Sequence, residues 1–313
     1  MASNAQRLHA ASLYAAGKSV SAIARQYGVD RKTIRRWIAT VMPVDAPEPV
    51  HARVATSRGL GRRHLDVPDI QQTDDRPTKH WQWLAMCGLD SEAEVVCILG
   101  DLWDLPSLSS HGTPGARSME GRRLRADLDS GIRQLHWLIN EWEKRSYRPE
   151  IHFFTGNHEN RLNRAIEANP QLLDGLLGDD PFQFRGLPIQ VHEFLHPVDI
   201  DGVRYAHFFP HNAQGQITQT KNGAPNAEAQ ARRQMQSATA GHKQGFDYRA
   251  IQTGRGQMHG LIIGSFYLHD ESYMPENNYW RGLVIKRSVC DGDYEIKREG
   301  MRILEWKYGG KSV

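Results

Sequence analysis

The spacing of apolar residues divides the chain into an all-helical start and a mixed body. Gln6 to Ala16 reads as one helix stopped by Gly17. A second helix runs from Ser19 to Tyr27, with Ala22, Ile23 and Ala24 inward. Gly28-Val29-Asp30 is a turn, and Asp30 is placed to cap a third helix, Arg31 to Val41, whose Ile34, Trp37 and Ile38 recur at helical spacing. Residues 43–64 carry Pro43, Pro47, Pro49 and scattered arginines without apolar periodicity, and read as a linker. From residue 65 short apolar runs alternate with helical stretches. The runs at 94–99 and 150–155 predict strands ending at Gly100 and Gly156. Between them, residues 122–144 predict a long helix with Leu128, Ile132, Leu135, Leu138, Ile139 and Trp142 on one side. Residues 202–208 and 258–267 predict further strands, and 274–306 a closing strand or two at a sheet edge. This alternation predicts an α/β sandwich.

Charge sharpens the division. Residues 1–64 hold eleven Lys/Arg and three Asp/Glu, a net of +8, which leaves −5 on the remainder. A basic arm on an acidic-leaning body suits a polyanion, although a solvated linker would look the same. The order of small-residue helix, Gly-containing turn and Arg/Lys-rich helix is the helix-turn-helix pattern, and it resembles the domains that start many transposases and resolvases. In that reading residues 1–42 bind DNA, with Arg31, Lys32, Thr33, Arg35 and Arg36 facing it. Packing or dimerisation is the other use of such a module. No apolar run is long enough to span a membrane, and the first residues lack a signal-peptide core. Three cysteines, Cys87, Cys97 and Cys290, form no CxxC pair, so a reducing cytoplasm, in a bacterial or phage-infected cell, is the expected location.

Candidate chemistry lies directly after the predicted strands. In open α/β sheets, ligands bind beyond the C-terminal ends of strands. Gly100-Asp101-Leu102-Trp103-Asp104 follows one strand and Gly156-Asn157-His158-Glu159 follows the other. Each Gly permits a tight turn. A carboxylate, an amide and an imidazole then converge at one rim, and all three are ligands for a divalent ion.

These blocks, in that strand context, resemble the calcineurin-like metallophosphoesterases, in the form encoded by bacteriophages and prophages. The family signatures run D-x-H, GDxxD, GNHE or GNHD, an isolated His, then GHxH. GDLWD and GNHE match in full. Asp69-Ile70-Gln71 takes the D-x-H place with Gln for His, His207 stands as the isolated His, and Gly241-His242-Lys243-Gln244 takes the GHxH place with Gln for the second His. The resemblance starts at residue 65 and implies a catalytic domain over 65–313, folded as a four-layer, two-sheet sandwich flanked by helices. It implies two divalent ions. Asp101 would bridge both, Asn157, His207 and His242 would complete the second, and Asp69, Gln71 and Gln244 would hold the first. Two amides in place of two imidazoles favour manganese there, with magnesium, zinc or iron as other occupants, and also admit a decayed site. The resemblance further implies attack by a metal-activated hydroxide, with His158 as general acid and Asp104 orienting its imidazole. His64, His80, His111, His136, His152, His192, His196, His211, His259 and His269 are read as surface or core residues; of these, His211 lies near His207, and His259 is weighed as a ligand in place of Gln244.

Leu105-Pro106 after Asp104 departs from the Arg-Gly that protein Ser/Thr phosphatases carry, which argues against phosphoprotein substrates. The basic module favours nucleic acid, because it would tether the body to DNA. The expected activity is metal-dependent phosphodiester hydrolysis, as a DNA nuclease or DNA-end phosphodiesterase. A small-molecule phosphodiesterase or phosphomonoesterase is one alternative, and a catalytically decayed DNA-binding regulator is another. Residues 107–111 read as a substrate loop. Arg161 and Arg164 either meet the nucleic-acid backbone or lie on a solvated helix face. No heptad seam is visible, and the oligomeric state stays open.

Overall fold

The computed structural model describes residues 4–15, 20–41, 61–109, 117–173, 175, 178, 180–209, 226–254, 256–270, 279–311 and 313. The chain divides into two units, Met1–Gly59 and Leu60–Val313. The first contains helices α1 (Asn4–Ala15), α2 (Val20–Tyr27) and α3 (Arg31–Val41). Ala10, Ile23, Ala24, Ile34 and Ile38 form its small core, with Leu13, Tyr27, Val29 and Trp37 packed against it. The Asp30 carboxylate accepts the Thr33 N–H at 2.6 Å, which satisfies one of the free donors that begin α3. Arg31, Lys32 and Arg36 are exposed on α3 and Thr33 is half-buried. The Arg35 side chain lies outside the described residues.

The second unit runs β1 (Arg62–Val67), α4 (Lys79–Ser91), β2 (Val95–Ile98), α5 (Leu124–Lys144), β3 (Glu150–Phe154), α6 (Asn160–Ala168) and α7 (Pro170–Leu173). It continues with β4 (Ile189–His192), β5 (Val198–Ile200), β6 (Val203–Ala206), α8 (Ala227–Gln234), β7 (Ala238–Ala240), β8 (Asp247–Thr253) and β9 (Gly256–Ile262). It closes with β10 (Gly282–Cys290), β11 (Asp293–Gly300) and α9 (Met301–Tyr308). One sheet has the order β11-β10-β1-β2-β3-β4 and the other β5-β6-β7-β9-β8. In the first, β1 to β4 are parallel, with Leu65 opposite Val96 and Val96 opposite Ile151. In the second, β6, β7 and β9 are parallel.

Parallel strands covered on both faces read as continuous apolar runs, and β2 shows why. Val96 and Ile98 pack with α4 and α5 residues such as Leu84, Leu135 and Trp142. Val95, Cys97 and Leu99 point the other way, into a core shared with Val203, Tyr205 and Leu261 of the second sheet. Each such fully buried aliphatic side chain is worth roughly 1.5–3 kcal/mol. A buried cation sits between the sheets. Lys286 on β10 pairs with Asp66 on β1 at 2.7 Å and reaches Tyr205 at 2.8 Å and Thr239 at 2.7 Å on the second sheet. Burial lowers its basicity, and Asp66 opposes that fall.

Several boundaries differ from the sequence reading. β1 starts at Arg62, inside the stretch read as linker, because Arg62 finds Glu150 and Asp201 at 2.6 and 2.7 Å and needs no apolar neighbour. Residues 42–60 of that linker lie outside the described residues. α5 begins at Leu124 rather than 122, since Arg123 has extended backbone. The strand expected at 258–267 is β9, which ends at Ile262. β8, which pairs with it, is partly exposed along its length and gives no apolar signal. Among the described residues no helix is long and apolar enough to cross a membrane.

Candidate functional site

Asp69 and Gln71 follow β1, Asp101 follows β2, and Asn157 and His158 follow β3, all beyond the C-terminal ends of parallel strands in the first sheet. His207 and His242 follow β6 and β7, the corresponding ends in the second sheet. Ligand atoms of Asp101, His207 and His242 lie within 4.8 Å of one another. His207 Nε2 is 3.4 Å from Asp101 Oδ2 and 2.8 Å from Asn157 Oδ1. His207 Nδ1 meets the Leu99 carbonyl at 2.6 Å, which fixes the ring and leaves Nε2 turned toward the cluster. Asp69 receives the His242 N–H at 2.9 Å.

The backbone here is strained where the side chains converge. Gln71, Asp101 and His242 have φ of 50°, 49° and 66°, in the left-handed region, at roughly 1–3 kcal/mol each. Gly100 has φ 87°. Gly156 is required for space, since a Cβ there would stand 2.2 Å from Asp101 Oδ1. Glu159, which the sequence reading quoted without a role, binds the two loops together. Its Oε2 accepts the Gly156 and Asp101 N–H groups at 2.7 and 3.0 Å, and its Oε1 accepts the Trp103 N–H at 3.1 Å. Trp103 anchors the same loop by donating its ring N–H to the Leu128 carbonyl of α5 at 3.0 Å.

His158 stands beside the cluster. Its N–H donates to Asp101 Oδ1 at 2.8 Å, and its Nδ1 lies 3.1 Å from Asp104 Oδ1 and 2.9 Å from the Asp104 carbonyl. Two arginines frame Asp104. Arg76 Nη1 is 2.9 Å from Oδ2, and Arg161 Nη1 donates to the Asp104 carbonyl at 2.6 Å. Arg161 Nη2 is 3.0 Å from His158 Nε2. Arg76 had no signal in the polar run TDDRP, because its partner is far away in sequence. The expected substrate loop is only partly visible. Ser107 to Ser109 are described, and Ser110 and His111 lie outside the described residues, as does His211.

The electrostatics fit a cation site. Burial and the nearby Asp101 charge push the Asp69 carboxyl up to about 7. Burial also opposes ionisation of Asp101, but the His158 and His207 charges outweigh it and hold that carboxyl far below its usual range. Burial opposes charge on His207, and Asp101 overrides it, raising the imidazole to about 9. Burial likewise opposes charge on His158, and Asp101 and Asp104 draw it upward. Two buried carboxylates that attract positive charge, joined by two imidazoles and an amide oxygen, form a donor set suited to a divalent ion. Asp101, Asn157, His207 and His242 make the fuller set.

The other amides expected as ligands divide. The Gln71 side chain is buried and makes no hydrogen bond among the described residues. Gln244 Oε1 accepts the Tyr267 hydroxyl at 2.6 Å. His259, weighed as a substitute for Gln244, does not reach the cluster. It is held by Tyr248 at 2.8 Å and Asp293 at 2.7 Å, on β9 and away from the strand ends.

No curated protein matches this chain. Residues 1–42 match the family model of a homeodomain-like domain, so the first unit is similar to helix-turn-helix domains, and that likeness suggests DNA binding.

Proposed function

We propose that the second unit is a metallophosphoesterase that hydrolyses phosphodiester bonds in DNA, as a nuclease or DNA-end phosphodiesterase, and that the helix-turn-helix unit brings it to its substrate. The observation that carries the reading is the convergence of Asp101, His207 and His242 within 4.8 Å, with His158 beside them and Asp104 behind His158. Asp101, Asn157, His207 and His242 would hold one divalent ion, and Asp69 with Gln71 would share a second, manganese or magnesium being suited to the oxygen-rich set. Such ions neutralise phosphate oxygens and make water a nucleophile near neutral pH. His158 supplies the proton that the leaving oxygen needs, a contribution of roughly 10²–10⁴ in rate. Asp104 accepts from Nδ1 and so fixes the ring, with Nε2 3.0 Å from Arg161 Nη2 and 3.7 Å from Asp101 Oδ2. Arg31, Lys32 and Arg36 on α3 give the DNA-facing side its charge.

The test uses the full chain with Mn²⁺. Bis-p-nitrophenyl phosphate and linear single- and double-stranded DNA are incubated with wild type and His158→Ala. Cleavage of DNA by wild type is expected, and H158A slows it more than it slows the p-nitrophenyl ester, whose leaving group needs no proton. Ester hydrolysis with intact DNA points instead to a small-molecule phosphodiesterase. Silence on every substrate, together with no bound metal, points to a DNA-binding regulator.

A further inference from the structure

The residue behind His158 can meet that imidazole in more than one way. Asp104 offers three acceptors: Oδ1, Oδ2 and its own carbonyl. His158 Nδ1 lies 3.1 Å from Oδ1 and 2.9 Å from the carbonyl, so these two compete for one N–H. The terminal torsion of an aspartate is broad and does not by itself select an oxygen. Two arginines make the selection. Arg161 Nη1 donates to the carbonyl at 2.6 Å and stands back from Oδ1 at 3.7 Å. Arg76 Nη1 lies 2.9 Å from Oδ2. Oδ1 is the acceptor left to His158.

Arg76 is itself anchored, because the same Nη1 donates to the Gln71 carbonyl at 2.8 Å. The loops that carry Gln71 and Asp104 need no side chain to join them. The Ile70 and Gln71 N–H groups donate to the Asp101 carbonyl at 3.0 and 2.8 Å, Gln72 N–H to the Leu102 carbonyl at 2.7 Å, and Asp104 N–H to the Gln72 carbonyl at 3.2 Å. What Arg76 adds to this backbone ladder is a grip on one carboxylate oxygen. Asp75 also feels the Arg76 charge, but its side chain is exposed, accepts the Thr73 hydroxyl and stands 3.6 Å from Arg122. The Asp104 side chain is only 16% exposed. Burial opposes its ionisation, and the charges of His158, Arg76 and Arg161 outweigh that.

Resting on the phosphodiesterase reading, we propose that Arg76 is a positioning residue for the general acid: by holding Asp104 Oδ2 it presents Oδ1 to His158 Nδ1, and so governs proton delivery to the leaving oxygen without touching substrate. Its effect is then confined to esters whose leaving oxygen needs a proton, such as the sugar hydroxyls of a nucleotide chain.

The experiment compares two diesters that share a nucleotide and differ in the leaving group, TpT and the p-nitrophenyl ester of thymidine 5′-phosphate, using the full chain with Mn²⁺. Loss of one charge-assisted contact in Arg76→Gln should lower the ratio of kcat for TpT to kcat for the p-nitrophenyl ester about tenfold, with little change in KM for TpT. The ratio does not depend on how much of the variant is folded and metal-loaded, since both rates scale with that amount. A merely structural role therefore leaves it unchanged. In an Asp104→Asn background the same substitution should change the ratio no further, because the two residues act as one unit. A second readout needs no turnover. In protein with ¹⁵N-labelled histidine, the low-field Nδ1–H resonance that is absent from His158→Ala should move upfield in Arg76→Gln. An unchanged ratio, an undiminished fall in the Asp104→Asn background, a resonance that stays in place, or wild-type turnover of the p-nitrophenyl ester alone overturns this inference and leaves a phosphodiesterase standing. A wild-type chain that hydrolyses neither ester and binds no Mn²⁺ removes both.

Discussion

Replacing Glu159 with Gln isolates the device that joins the two ligand-bearing loops. The carboxylate accepts N–H groups from Asp101, Trp103 and Gly156. An amide keeps one oxygen, which can hold the Asp101 and Gly156 donors, and turns an NH₂ group on the Trp103 donor. The loss is one charge-assisted hydrogen bond, about 1.5–3 kcal/mol, plus a buried donor left without an acceptor, about 1–3 kcal/mol. Burial and the Asp101 charge both oppose the ionised Glu159, so a neutral side chain relieves part of that cost. The net destabilisation should be about 3 kcal/mol. In a unit of this size each kcal/mol lowers Tm by roughly 2–4 °C, so a fall of about 10 °C is expected. Differential scanning calorimetry of Glu159→Gln beside wild type, both without metal, measures it, and Mn²⁺ titration of the two proteins should show weaker binding in the variant. A Tm within about 2 °C of wild type with unchanged Mn²⁺ affinity would show that the loops do not depend on this carboxylate.

Other expectations follow from separate parts of the molecule. Adding Mn²⁺ at a hundred times its Kd should stabilise wild type by about 2.7 kcal/mol, and the gain should be largely lost in His242→Ala; equal gains in both would remove His242 from the ligand set. Asp201 is buried in part, yet His64 and Arg62 lower its carboxyl from 3.8 to about 2. Its contribution to stability is complete above the unfolded value and disappears as pH falls from 3.8 to about 2. Urea midpoints across that range should therefore drop more steeply for wild type than for Asp201→Asn. Lys32→Gln and Arg36→Gln should each reduce the slope of log K against log salt for DNA binding by about one, read by fluorescence anisotropy; an unchanged slope would place these side chains away from the phosphates.

Much of the site was legible because the relevant chemistry is local. A run such as VVCIL must be covered on both faces, and the chain must turn where it ends, so Gly100-Asp101 and Gly156-Asn157-His158 announce both strand and rim. His207 and His242 had weaker signals and could be named only through the family resemblance. Arg76, Glu159 and the Tyr267–Gln244 contact were not readable, since each depends on a partner brought close by folding. The second sheet was legible only in outline. β5 and β7 have three residues each, and β8 faces solvent along much of its length, so none shows a period. In the first unit the opposite holds, because Asp30 and the Ile34, Trp37, Ile38 spacing lie within one helix and its cap.

Lys286 has a consequence well beyond its own surroundings. The donors around the proposed ion come from two different sheets: Asp101 and Asn157 from one, His207 and His242 from the other. Their spacing is thus a matter of how the two layers are aligned, much as two rulers must be pinned before their marks agree. The ammonium buried among Asp66, Tyr205 and Thr239 is such a pin. A neutral, similarly shaped side chain there would let the layers slide by fractions of an ångström while keeping them packed, and chemistry at the rim would be detuned by a change that touches none of its participants.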